Sequence, residues 1–120
     1  MDAGCTACVV FITPDHIYCA NVGDSRAVLT NKSTAIGLCE DHKPNLRREL
    51  KRINASGHHY VEDNRVDGSL AMSRALGDFE FKNVKNLRPE QQAVSCLPDI
   101  TKRARDKNDN FLIVACDGIW

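Results

Sequence analysis

The chain has 120 residues, 42% apolar and 27% charged, which bounds it at one globular domain or a piece of one. Lys plus Arg and Asp plus Glu each number 16, so the formal charge is zero, which excludes an extended face for nucleic acid or anionic membrane. The longest strongly apolar run, residues 111–116, is far too short to span a bilayer, and the first residues show neither a signal peptide nor a myristoylation glycine.

In chain order, residues 5–12 read as a buried strand closed by the turn Thr13-Pro14-Asp15-His16. Residues 17–22 and 26–29 read as two further strands bent at Gly23-Asp24-Ser25, and residues 34–38 as a short fourth, the set forming an antiparallel meander because its connections are too short for parallel crossovers. Residues 45–55 switch to helical spacing, with Leu46, Leu50 and Ile53 on one face and Arg47, Arg48, Lys51 and Arg52 on the solvated remainder, and Gly57 as a stop. Residues 58–61 suggest a short strand and residues 70–76 a short helix ending at Gly77. Residues 92–97, 100–103 and 111–116 supply late strands, with residues 106–110 as a polar hairpin turn before the last.

Six cysteines, Cys5, Cys8, Cys19, Cys39, Cys96 and Cys116, lie mostly in apolar, strand-like segments, where Cys acts as a small buried hydrophobe. Cys5 and Cys8 form a C-x-x-C, but a strand through them turns the two to opposite faces, and no second ligand pair follows at zinc spacing. Free thiols and a reducing, cytoplasmic setting are the expectation, with the nucleus as a second location. Asp106, Asn108 and Asn110 imitate a calcium loop, yet Phe111 stands where that loop needs Gly and Asp117 where it needs Glu. His42, alone in a loop, reads as a hydrogen-bonded structural group rather than a general acid or base.

Two strands end in acidic turns: residues 18–22 run into Gly23-Asp24-Ser25-Arg26, and residues 111–116 into Asp117-Gly118. A carboxylate held at the rim of a core needs compensation, and two of them side by side need a cation between them. Mg²⁺ and Mn²⁺ accept such oxygen ligands, so Asp24 and Asp117 are candidate metal ligands. Gly-Asp and Asp-Gly are also ordinary turn punctuation, and these two segments leave both readings open.

Taken together, Gly4-Cys-Thr-Ala7, Ala20-Asn-Val-Gly-Asp-Ser-Arg-Ala-Val-Leu29, Asp41-His-Lys-Pro44, Arg65-Val-Asp-Gly-Ser-Leu-Ala-Met-Ser-Arg-Ala-Leu-Gly-Asp78 and Phe111-Leu-Ile-Val-Ala-Cys-Asp-Gly-Ile-Trp120 resemble, in order, the type 2C protein phosphatases, the metal-dependent Ser/Thr phosphatases also called the PPM family. The resemblance implies an α+β fold: an antiparallel β-sandwich flanked by helices in α-β-β-α layers, incomplete in this chain, with residues 1–120 a partial phosphatase domain and residues 44–68 a flap beside the active site. It implies Asp117 as a ligand of the catalytic metals and Asp24 as a ligand of a third, weaker metal, the ions being Mg²⁺ or Mn²⁺. Arg74 and Asp78 lie in a family motif and are read as structural.

The family's early Asp-Gly-His-Gly-Gly block, its upstream phosphate-binding Arg and its late Asp-Asn block have no counterpart here, so no catalytic residue is assigned and these residues alone are expected to turn over little substrate. In the complete family enzyme, two metal ions activate a water that attacks phosphoserine or phosphothreonine directly. The expected function is therefore hydrolysis of protein phosphoesters by the parent enzyme, a monomer acting on phosphoprotein substrates with no nucleic-acid or membrane partner. A non-catalytic pseudophosphatase or interaction module is the alternative.

Overall fold

The structure, a computed structural model, describes residues 3–120. It holds ten strands: β1 (Gly4–Cys5), β2 (Ala7–Ile12), β3 (His16–Val22), β4 (Arg26–Asn31), β5 (Thr34–Gly37), β6 (Val61–Glu62), β7 (Arg65–Val66), β8 (Leu76–Gly77), β9 (Asp99–Ala104) and β10 (Asp109–Ala115). Among the described residues one α-helix, α1 (Arg47–Ala55), separates β1–β5 from β6–β10. No helix is long and apolar enough to cross a membrane among the described residues.

Two three-stranded antiparallel sheets, in the orders β2-β3-β9 and β5-β4-β10, carry the fold, and two short pairs, β1-β8 and β6-β7, sit beside them. The expected meander is thus split: β2 pairs β3 and β4 pairs β5, but β3 and β4 belong to different sheets. The turn at residues 23–25 passes the chain from one sheet to the other. Likewise, residues 105–108 connect β9 to β10 across the sheets rather than closing a hairpin. There Asp109 pairs with Arg103 at 2.8 Å and accepts from Asn31 at 2.9 Å, so this polar segment uses its own acids as turn braces.

Strand alternation explains the core between the sheets. Ile17 and Cys19 from β3 meet Ala27 and Leu29 from β4, with Leu38 after β5 closing the cluster. A second core joins Ile53 of α1 to Val66, Ala75, Phe81, Ala93 and Val94. Helical spacing holds for α1, but its inner face carries Glu49 as well as Ile53, both without solvent exposure, while Leu46 and Leu50 are only half-buried.

Residues 70–76 do not form the expected helix. Their backbone groups are spent on other segments: the Ser73 N–H donates to the His42 carbonyl at 2.9 Å and the Ala75 N–H to the Ser95 carbonyl at 3.1 Å. Residues 92–97 reach only an isolated bridge, Arg74 to Ser95, instead of a strand. In both places tertiary partners outcompete local propensity.

Candidate metal centre

The register of the β4–β10 ladder places the two acidic turns. Ala115 pairs with Arg26 and Val114 with Ala27, so the chain positions of Asp24 and Asp117 lie two residues beyond the same end of one antiparallel ladder. Asp99 opens β9 opposite Asn21 of β3, which brings a third aspartate to that rim. The crossing at residues 105–108 is at the far end, since Asp109 pairs with Asn31.

Every residue of Gly23-Asp24-Ser25-Arg26 has a partner, and three of the partners are consecutive. Gly23 donates its N–H to His42 Nδ1 at 3.0 Å and accepts from the His42 N–H at 3.0 Å. Asp24, 2% exposed, is ion-paired with the Lys43 ammonium. Arg26 grips Asp41 with two hydrogen bonds of 2.9 and 2.8 Å, and its guanidinium lies 5.3 Å from the Trp120 ring centre. The Ser25 hydroxyl meets the Thr6 hydroxyl at 2.6 Å. Gly23 has φ +104°, and a Cβ there would stand 2.4 Å from Thr6 Cγ2 and 3.0 Å from the Arg74 carbonyl, so only glycine permits the turn.

His42 is fully buried and structural, as its loop context suggests. Its Nδ1 accepts from Gly23, which leaves Nε2 to donate to Asp99 Oδ2 at 3.0 Å and sets the tautomer. Asp99 also accepts from Arg74 Nη1 at 2.9 Å and is ion-paired with Arg48. Burial alone would raise the Asp99 carboxyl, but the His42 hydrogen bond and the Arg74 charge outweigh it and hold it at about 2.

Behind this rim lies a buried charge network. Glu49 accepts from Arg52 at 2.6 Å, from the Ser73 hydroxyl at 2.8 Å and from Arg74 Nη2 at 2.7 Å. Burial pushes the Glu49 carboxyl up, yet the Arg74 hydrogen bonds and the Arg52 charge bring it down to about 2. Arg52 is thus not on a solvated face: it also donates to the carbonyls of Ser73, Gln92 and Ala93 at 2.6, 3.0 and 3.1 Å. Arg74 links Glu49 to Asp99 and, through His42, to the Gly23 turn, so it orients the rim rather than facing a ligand.

Asp117 is exposed and begins a short 3-10 turn over Asp117–Ile119. Among the described residues its carboxylate has no side-chain partner. The oxygen donors of Asp24 and Asp117 suit a hard divalent ion, and the buried Asp24 charge already demands a cation, a demand the half-buried Lys43 now meets. The residues therefore fit such an ion on condition that it shares Asp24 with Lys43 or displaces it. Lys43, Asp99 and Glu49 are what sequence reasoning missed. An acid inside the apolar face of α1 was the available signal for Glu49, whereas only the folded chain brings Lys43 to Asp24.

The protein phosphatase 2C family profile matches residues 1–120. The chain belongs to the protein phosphatase 2C family. It is 53% identical over 120 residues to protein phosphatase 2C homolog 2 of Schizosaccharomyces pombe, covering 98% of this chain and 32% of that protein. To protein phosphatase 2C homolog 2 of Hypocrea jecorina it is 51% identical over 118 residues, covering 98% and 27%. A crystal structure of a phosphatase from Toxoplasma gondii superposes with TM-score 0.80 at 42% identity, over 87% of this chain and 32% of that one. A serine-threonine phosphatase 2C from the same organism, 24% identical, shares the fold with TM-score 0.77 over 96% of this chain and 42% of that one. The antiparallel sandwich expected from the motifs is the protein phosphatase 2C architecture in part, since the chain spans about a third of the length of the curated relatives it matches.

Proposed function

We propose that the protein carrying this chain is a metal-dependent protein Ser/Thr phosphatase, with Asp117 and Asp24 as ligands of Mg²⁺ or Mn²⁺ and residues 44–68 as a flap beside the site. One observation carries the reading. In a chain about half identical to proteins named protein phosphatase 2C, both candidate carboxylates leave the same end of one ladder. When bound, such ions lower the pKa of coordinated water and offset charge on phosphoryl oxygens.

The chain's own residues supply the frame for that chemistry. Gly23 and His42 lock the Asp24 turn, Arg74 and Asp99 hold His42, and Lys43 keeps the buried Asp24 charge compensated until a divalent ion competes for it. Such preorganisation matters because holding reacting groups in place contributes several kcal/mol to a barrier reduction. The substrates are phosphoproteins, the working unit is a monomer, and the location is the cytoplasm with the nucleus second.

The test uses the full-length protein, a phosphothreonine peptide and millimolar Mn²⁺. Metal-dependent phosphate release is expected, lowered at least about 100-fold in Asp117→Asn, with Asp24→Asn chiefly raising the Mn²⁺ concentration required. Turnover unaffected by chelator, or by both substitutions, would refute the assignment.

A further inference from the structure

Three cysteines far apart in sequence meet in the core between the two sheets. The Sγ atoms of Cys8, Cys19 and Cys39 all lie within 4.8 Å of one another. Cys8 stands on β2 and Cys19 on its partner β3, with sulfurs 4.0 Å apart, while Cys39 follows β5 of the opposite sheet. Cys39 Sγ also accepts the Ala27 N–H at 3.4 Å, which anchors it to β4. The C-x-x-C partner is not involved: Cys5 sits on the separate strand β1 and is exposed.

The spacing fits a single thiophilic atom. A sulfur bond of about 2.3 Å, as at thiolate zinc, sets the sulfurs roughly 3.8–4.0 Å apart around a tetrahedral or planar trigonal centre and roughly 3.4 Å apart around a pyramidal one. Cys8 and Cys19, 4.0 Å apart, are about 0.6 Å from the pyramidal spacing, and Cys39 has less than about 1.5 Å to close.

Charge selects the kind of atom. The surroundings are apolar, namely Ile17, Ala27, Leu29 and Leu38. The charged neighbour acting on Cys8 is Asp41, an anion. Burial pushes the Cys8 thiol up to about 11 and the Cys19 thiol up as well. Arg26, the cation that acts on Cys39, is already paired with Asp41, so three thiolates around a divalent ion would leave a net negative charge buried here. Three thiolates around a trivalent centre are neutral.

We propose that Cys8, Cys19 and Cys39 form a three-sulfur site for trivalent arsenic, taken up as arsenous acid. Three S–H bonds and three As–O bonds break, three As–S bonds form, and each thiol proton leaves with a hydroxide as water. Arsenic stays trivalent, so no oxidant or reductant enters, and no thiolate has to persist in the core. Half-buried Cys8 and Cys39 receive the ligand, and Cys19, 1% exposed, completes the set. Occupancy ties β2 and β3 to the segment that leads into Asp41, His42 and Lys43.

The experiment titrates the reduced full-length protein with arsenite and follows bound arsenic by native mass spectrometry, thermal unfolding and arsenic X-ray absorption. One arsenic per chain at this site is expected, with three sulfur neighbours and a raised unfolding temperature. Cys8→Ser, Cys39→Ser and Cys19→Ala each weaken binding by at least about tenfold, since loss of an outer-shell partner alone commonly does so. Cys5→Ser and Cys96→Ser leave it unchanged. Should Cys19→Ala fail to fold, the half-buried Cys8 and Cys39 variants decide. Binding that survives those two variants, fewer than three sulfur neighbours, or uptake of cadmium with no uptake of arsenite would overturn the proposal.

Discussion

Asp24 is nearly sealed from solvent and its charge is offset by Lys43, whose side chain is 34% exposed. Lys43→Met leaves the carboxylate buried without that cation, and the expected cost is about 2 kcal/mol in urea unfolding with chelator present. The same change removes a positive charge that competes with a divalent ion, so Mn²⁺ affinity measured by calorimetry should rise roughly tenfold. Unchanged affinity would mean that Lys43 and the ion do not share Asp24. Gly23→Ala combines a left-handed φ with a contact of 2.4 Å to Thr6 Cγ2, and a loss of about 2–5 kcal/mol is expected by the same unfolding measurement.

Helix α1 is held less by propensity than by Glu49, whose carboxylate ties it to Ser73 and Arg74. Glu49→Gln leaves two buried guanidinium groups short of an anion and should destabilise the fold by about 3–5 kcal/mol. The pH dependence has a definite sign. Glu49 titrates at about 2 in the folded chain against an ordinary value of 4.5. Its contribution is therefore present above pH ~4.5 and is lost as pH falls toward ~2, about 3 kcal/mol in all. Asp99 adds to the loss in the same acid range, with a smaller effect because it is partly exposed. Unfolding free energies measured from pH 6 to 2.5 should fall steeply in the native chain and less in Glu49→Gln. Parallel curves would place the acid sensitivity elsewhere.

At the scale of the whole molecule, the sandwich exposes apolar side chains on its outer strands, among them Val9 at 60%, Phe11 at 65% and Ile100 at 69%. Strands β2 and β9 are also the edges of their sheet. Such edges invite pairing with other chains. These 120 residues expressed by themselves should self-associate in sedimentation experiments and release no phosphate from a phosphothreonine peptide, whereas the full-length protein should do so as a monomer. A monomeric, active 120-residue segment would contradict that expectation.

What the sequence by itself determined is local and periodic. Runs such as residues 17–22 and 111–116 were legible as strands because β-branched and apolar residues in short stretches have few other uses, and the motif blocks were legible because each is contiguous. The acidic turns were visible for the same reason. Only the tertiary structure decided which strands share a sheet, because residues 23–25 and 106–110 read in sequence as turns within one sheet, whereas the chain crosses between sheets at both places. It also decided that residues 70–76 are not a helix, since a backbone whose N–H groups bond His42 and Ser95 cannot satisfy one. The partnerships of Asp24 with Lys43, of Arg74 with Glu49 and Asp99, and of the three thiols join residues 11 to 31 positions apart. No periodicity encodes such pairs; they arise from burial, which forces each charge or polar group in the core to find a partner wherever the fold brings one.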